Sequence, residues 1–154
     1  MYLSPGTILT SSSLMDDPNF QQSIIFITEK NENGAMGFVV NKIFERRLNE
    51  LVEFSGSPAF PLFEGGPVDK DHLYFIHRRN DLITGGDLIV DNIYLGGDFK
   101  KAIAHINNKT LSSSDIKICI GYCGWDANEL EAEIAEGSWM VLDASNDIVF
   151  SQNI

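Results

Sequence analysis

The chain has 154 residues, 44% of them hydrophobic and 21% charged, which is the size and balance of one folded domain, and it holds no apolar run long enough for a membrane span. Its net charge of −11, from 11 Lys plus Arg against 22 Asp plus Glu, weighs against unaided nucleic-acid binding, where affinity comes largely from cations that neutralise phosphates. The opening MYLSPGTILTSSSLMDD lacks the basic and long apolar regions of a signal peptide, so the cytoplasm is the expected setting.

In chain order, Thr7-Ile8-Leu9 reads as a short strand and 11–18 as a loop. Residues 23–29 and 36–41 are β-branched and aromatic, and Asn33-Gly34 between them supplies the positive φ of a hairpin turn. ERRLNELVEFSG places Leu48, Leu51 and Val52 at helical spacing before Gly56. SPAFPLFEGGPV is too rich in Pro and Gly for anything but a loop or a short edge strand. LYFIH (73–77) is a strand. Gly85-Gly86-Asp87 and Gly96-Gly97-Asp98 bracket two short apolar pieces as tight turns.

Asp98 is placed to N-cap a helix reaching about Asn108, with Phe99, Ala102, Ile103 and Ile106 on one face. IKICI (116–120) is the best candidate for a central strand, and WMVLD with DIVF reads as a closing hairpin. No linker interrupts the chain, so residues 1–154 are expected to form a single domain. The tally is eight or nine short strands with hairpin-type links and three helices, which is an α+β fold with a mostly antiparallel, strongly bent sheet.

The stretch GYCGWDANELEAEI, 121–134, carries the densest set of unusual residues. Its glycines permit dihedrals or close approaches closed to other residues. Asp126 with Glu129 fits a capping-box variant, and Gly137 a helix stop. Glu129, Glu133 and Glu136 line one helix side, read first as a solvated acidic face and second as a carboxylate cluster for a cation or basic partner. No Walker or dinucleotide glycine pattern, G-x-S-x-G or H-E-x-x-H occurs. Cys119 and Cys123 lack a second ligand pair, and buried free thiols are the expected reading over a redox or zinc role. No metal, cofactor or catalytic residue is assigned. The doublets Arg46-Arg47, Arg78-Arg79 and Lys100-Lys101 read as solvated rims rather than a nucleic-acid patch.

Four blocks, SLMDDPNFQQSIIFITE, NGAMGFVVN, FEGGPV and GYCGWDANELEAEIAEGSW, together resemble the AlgH/YqgE family (DUF179, UPF0301) over nearly the whole chain. The resemblance implies a mixed, mostly antiparallel bifurcated sheet folded into a pseudo-barrel with about three outer helices, in a bacterial cytoplasm. It implies no established activity, although the AlgH name carries a claim of transcriptional regulation. Where the family usually has alanine this chain has Cys123, and where it usually has glutamine this chain has Glu129, which argues against an obligatory nucleophile or carboxylate ligand there. Family members commonly have histidine where this chain has Lys30, and Arg-Pro where it has Lys42-Ile43.

Three functions follow for testing. The first is a non-enzymatic regulatory or adaptor protein acting through protein partners. The second is a small-molecule binding protein or weak hydrolase. The third, direct DNA binding, conflicts with the charge. The site expected from strand ends beside glycine turns and aromatics is one shallow cleft. It would gather Asn41, Glu64-Gly65-Gly66-Pro67 and His77, with Tyr122 and Trp125 as its apolar wall. Its alternative is that Asn41 satisfies turn backbone while His77 and the aromatics are core. Gly65 and Gly124 are expected to be structurally obligatory.

Overall fold

A computed structural model describes residues 3–151 and shows an α+β fold built on a mostly antiparallel, nine-stranded sheet that does not close on itself. Strand β1 (Ile8–Ser11) lies between β2 (Ile24–Asn31) and β9 (Trp139–Leu142), antiparallel to both. β2 turns back into β3 (Gly34–Val39) as the expected hairpin, but through Glu32 and Asn33, with Gly34 already paired with Asn31 as the first residue of β3, and with a bulge between Ile27 and Glu29. β4 (Leu62–Glu64), β5 (Val68–His77) and the pair β6 (Asp87–Val90) and β7 (Ile93–Leu95) complete the other wing. Among the described residues no helix is long and apolar enough to cross a membrane.

The two wings meet on β8 (Ile116–Asp126). Its first half runs antiparallel to β5 and parallel to β4, while its last four residues pair antiparallel with β3. That division of one strand among three neighbours is the bifurcation. EGGPV leads out of β4, a three-residue strand whose one strand partner among the described residues is β8, in keeping with the short edge strand expected there.

Alternation along the central strands feeds cores on both faces. Ile25 and Ile27 of β2 join Leu9, Val39, Cys123 and Trp125 on one side. Phe26 joins Ile8, Phe38 and Phe63 on the other. The period-2 geometry of a strand is what sends neighbours to opposite faces. Helix α1 (Phe99–Asn107) covers a third cluster with Ala102 and Ile106, packed over Ile116, Ile118 and Ile120. Asp98 caps it by accepting from the Lys101 amide at 3.2 Å, as its position predicts.

Four local readings are corrected. ERRLNELVEFSG forms two single 3₁₀ turns, Leu48–Glu50 and Val52–Phe54: Leu48 is buried and Leu51 and Phe54 pack half-buried against the same core, while Val52, expected on the buried face, stays 90% exposed. WMVLD does not pair with DIVF: β9 pairs with β1, and DIVF enters α3 (Asn146–Val149), capped by the Ser145 hydroxyl. β8 runs on through GYCGWD, so Asp126 is strand rather than N-cap. Helix α2 (Glu129–Ala135) starts after Asn128, which takes the left-handed conformation at φ 67°. Lastly, Glu133 is not part of a free acidic face: its Oε1 accepts from the indole nitrogens of Trp125 at 3.3 Å and Trp139 at 2.9 Å.

Candidate functional site

Gly121 decides what the GYCGW stretch does. At φ 72° it breaks the alternation of β8, so Cys119 and Tyr122 face the same side although three positions apart. A Cβ at Gly121 would lie 2.5 Å from the Gly66 carbonyl oxygen, and one at Gly66 would lie 2.2 Å from the Tyr122 carbonyl carbon. The EGGPV and GYCGW segments are thus pressed backbone to backbone. Gly65 N–H donates to Ile120 O at 2.9 Å, Gly65 O accepts from Val39 N–H at 2.9 Å, and the Cys123 thiol reaches the same oxygen at 3.4 Å.

The sequence-proposed cleft residues divide among different places. Tyr122 pairs with Val68, and both border a groove of about 510 Å³. Glu64, Gly66 and Pro67 border a smaller hollow of about 140 Å³, where Glu64 meets Lys70 Nζ at 3.1 Å. Gly65 lies between them in the backbone contact just described. Asn41 borders a third hollow, beside Asp147 and Ile148, with its amide already engaged. Its Oδ1 accepts from Ile24 N–H at 2.8 Å and its Nδ2 donates to Gln22 O at 3.0 Å.

His77 sits at the far end of β5, paired with Ile116, and its side chain is fully buried. The ring stacks between Phe75 and Tyr94, Nε2 donates to Gly96 O at 3.0 Å, and Nδ1 accepts from Arg79 N–H at 3.2 Å. Burial pushes its pKa below the ordinary imidazole value, consistent with a neutral ring holding one proton on Nε2. Trp125 borders the same groove as Tyr122, as the sequence reading paired them, but has the opposite parity to Tyr122 and Gly124 and packs its indole against Phe20 and Trp139 in the core. Burial raises both thiols, Cys119 and Cys123, to about 12, which leaves neither as a thiolate at neutral pH.

The groove beside Tyr122 joins residues the sequence noted for other reasons, Gly34, Gly124 and Asp126, with Glu29, Asn31 and Met36, which it did not propose for a site. Register places Glu29, Met36 and Gly124 in one row across β2, β3 and β8, and Asn31, Gly34 and Asp126 in the next. Both rows share the face of Tyr122, and all of these residues border the groove. Gly34, at φ 142°, must lack a Cβ because one would stand 2.0 Å from Trp125 O. Gly124 is different: its Cβ would meet only Tyr122 Cε1, at an ordinary 3.5 Å. The expectation that Gly124 is obligatory is therefore corrected on steric grounds, while Gly65, whose Cβ would meet Gly121 O at 2.5 Å, does need to be glycine. Period-2 alternation could have paired Tyr122 with Gly124 and Asp126, but their partners on β2 depend on a cross-strand register that one sequence does not reveal.

Next to the groove wall, β5 bulges between Val68 and Leu73, and Asp69 adopts φ 56° at its start. Asp69 accepts from the Tyr74 hydroxyl and lies 2.6 Å from His72 Nδ1, and Tyr74 stands edge-on to Tyr122 at 5.6 Å. The hydrogen bond to Asp69, with burial second, raises Tyr74 to about 12. The same carboxylate raises His72, and the two hydrogen bonds lower Asp69 itself. Among the described residues no three His, Cys, Asp or Glu side chains gather as a group able to hold a metal ion.

Comparison with known proteins adds the wider context. A family model described as AlgH-like, DUF179, matches residues 8–154. A UPF0301 protein of Chlorobaculum tepidum is 37% identical over 149 residues, covering 97% of this chain and 80% of the relative. One from Cytophaga hutchinsonii is 34% identical over 152 residues, covering 98% and 84%. The solution structure of the AlgH protein from Pseudomonas aeruginosa superposes with a TM-score of 0.74 at 28% identity, over 98% of this chain and 85% of that one. A Corynebacterium diphtheriae crystal structure shares the fold at 19% identity, with a TM-score of 0.78 over 98% and 81% of the two chains.

Proposed function

This chain belongs to the AlgH-like DUF179 family, and on that premise we propose that it is a cytoplasmic, non-enzymatic regulatory adaptor that works by binding a partner protein in the groove beside Tyr122. The observation that carries the reading is Gly124. A glycine in a strand costs roughly 0.5–1 kcal/mol relative to alanine, and here neither backbone conformation nor crowding calls for it. Glycine in a strand often marks a place where another backbone comes close. Gly124 lies exposed on the groove floor, where a side chain would fill the space a partner needs.

Chemistry supports the same reading. The groove's side chains include no nucleophile beside a base, His77 and both thiols are buried elsewhere, and two free cysteines suit a reducing compartment. The volume also lies within the range of small-molecule sites, which favours ligand binding as the second reading.

The deciding experiment is capture from host extract with the native protein, with Gly124→Val and with Val52→Asp, a change at a remote exposed position. A protein captured by the first and third but not by Gly124→Val supports the adaptor. Native mass spectrometry that instead finds a metabolite bound to the native protein and absent from Gly124→Val overturns it in favour of the second reading.

A further inference from the structure

The groove has a charge as well as a shape. Glu29 stands on one bank and Asp126 at the end of the neighbouring row, both exposed, with the amide side chains of Asn31 and Asn33 between. Glu29 Oε1 accepts from Asn31 Nδ2 at 3.2 Å. Among the described residues the Asp126 carboxylate makes no hydrogen bond or ion pair. Nor does any lysine or arginine among them border the groove. The adjacent cation, Lys30, has the opposite parity on β2 and spends its ammonium on Glu131 at 3.3 Å and on Asn31 O at 3.1 Å. Among the described residues no lysine or arginine lines this surface, and the chain as a whole carries −11.

The geometry points to an arginine side chain, presented by an extended basic segment of a partner protein, as the occupant. This assignment rests on the adaptor reading above. Neighbouring strands lie about 4.8 Å apart, so Glu29 and the glycine at 124 are separated by roughly 10 Å across β3. A guanidinium placed over Met36 and Gly124 would come within reach of a carboxylate on either side. It would also meet the Tyr122 ring that walls the groove. A planar cation with five donors suits that combination better than a point-like ammonium, because it can fork to carboxylates and stack on an aromatic at once. Gly124 supplies the close approach that the partner's backbone needs.

The test uses the full chain and a synthetic probe, the acetylated and amidated peptide Gly-Arg-Gly-Arg-Gly, followed by amide NMR. Chemical-shift changes are expected at Gly34, Gly124 and Asp126, with affinity that weakens as salt rises. Glu29→Gln and Asp126→Asn are each expected to weaken binding about two- to fivefold, as exposed charge pairs do. Gly124→Val is expected to abolish it while the spectrum stays native. Should that variant misfold, the doubly substituted Glu29→Gln/Asp126→Asn protein tests the same claim from the surface. Equal binding by the peptide with citrulline in place of arginine overturns the assignment. So do shifts centred elsewhere, or displacement by spermidine at matching concentration, which would make the groove a small-polycation site. If the arginine peptide fails while Gly124-dependent capture of a protein persists, the ligand class is wrong and the adaptor reading stands. Loss of both removes both.

Discussion

Lys117 is the residue whose surroundings least suit it. It is 1% exposed, donates to Val40 O at 2.6 Å and lies over the Phe63 ring at 4.4 Å, with no carboxylate partner among the described residues. Desolvation lowers its pKa from 10.5 to about 8. Below pH 8 the ammonium is present in both folded and unfolded chains, and burying it costs up to about 3 kcal/mol. Between pH 8 and 10.5 the unfolded chain binds more protons, so stability rises until the penalty is gone. Lys117→Met is therefore expected to stabilise by about 1–2 kcal/mol at pH 7, after the loss of the hydrogen bond to Val40, and by progressively less toward pH 10.5. Urea melts of both proteins across that range measure it, and a destabilised variant at pH 7 would refute the account. Asp69 gives the opposite case at the surface. Its raised partners predict that Asp69→Asn returns Tyr74 from about 12 toward 10 and lowers the His72 midpoint, both read by NMR titration. His72, protonated more readily when folded, adds stability at acidic pH that is lost as pH rises through its folded value. Unchanged midpoints in Asp69→Asn would show that the network does not persist in solution.

At the scale of elements, β8 does the most. Its isoleucines bury under α1, its positive-φ Gly121 resets the side-chain parity, and its final residues turn from β5 to β3. The two glycines read alike in sequence separate here. Gly65→Ala would force a Cβ to within 2.5 Å of a backbone oxygen and 2.8 Å of Cys119 Cβ, and is expected to cost about 1–3 kcal/mol by overpacking. Gly124→Ala meets nothing close and is expected to be neutral or up to about 1 kcal/mol more stable. Thermal melts of the pair decide it, and a large loss at position 124 would remove the reason for reading Gly124 as functional.

For the whole molecule, charge is the dominant property. With 22 acids against 11 basic side chains, and Arg78 and Arg79 both directed at Asp115, duplex DNA finds little to neutralise it. Titration of a labelled duplex at physiological salt is expected to show no mobility shift. Submicromolar, salt-sensitive binding by the isolated protein would overturn the expectation. The same negative field should speed the approach of a basic partner and lose that effect as salt rises.

Local chemistry was legible in the sequence: the Asn33-Gly34 hairpin, the Asp98-capped helix, the apolar strand at IKICI and the acidity all depend on neighbours in the chain. The same holds for the fold class, since many short β-rich runs joined by glycine turns have few other solutions. Elements that depend on distant partners were not legible. DIVF has a strand's composition yet coils into α3, because β1 takes β9 as its neighbour and Ser145 offers a cap. The site divides in the same way. Tyr122 and the glycines at 65, 66 and 124 stood out as residue types, but Glu29 and Asp126 gained meaning only through pairing. Tertiary structure alone set the register that aligns Glu29 with Met36 and Gly124, and Asn31 with Gly34 and Asp126. One residue of slip would have turned those side chains to the opposite face.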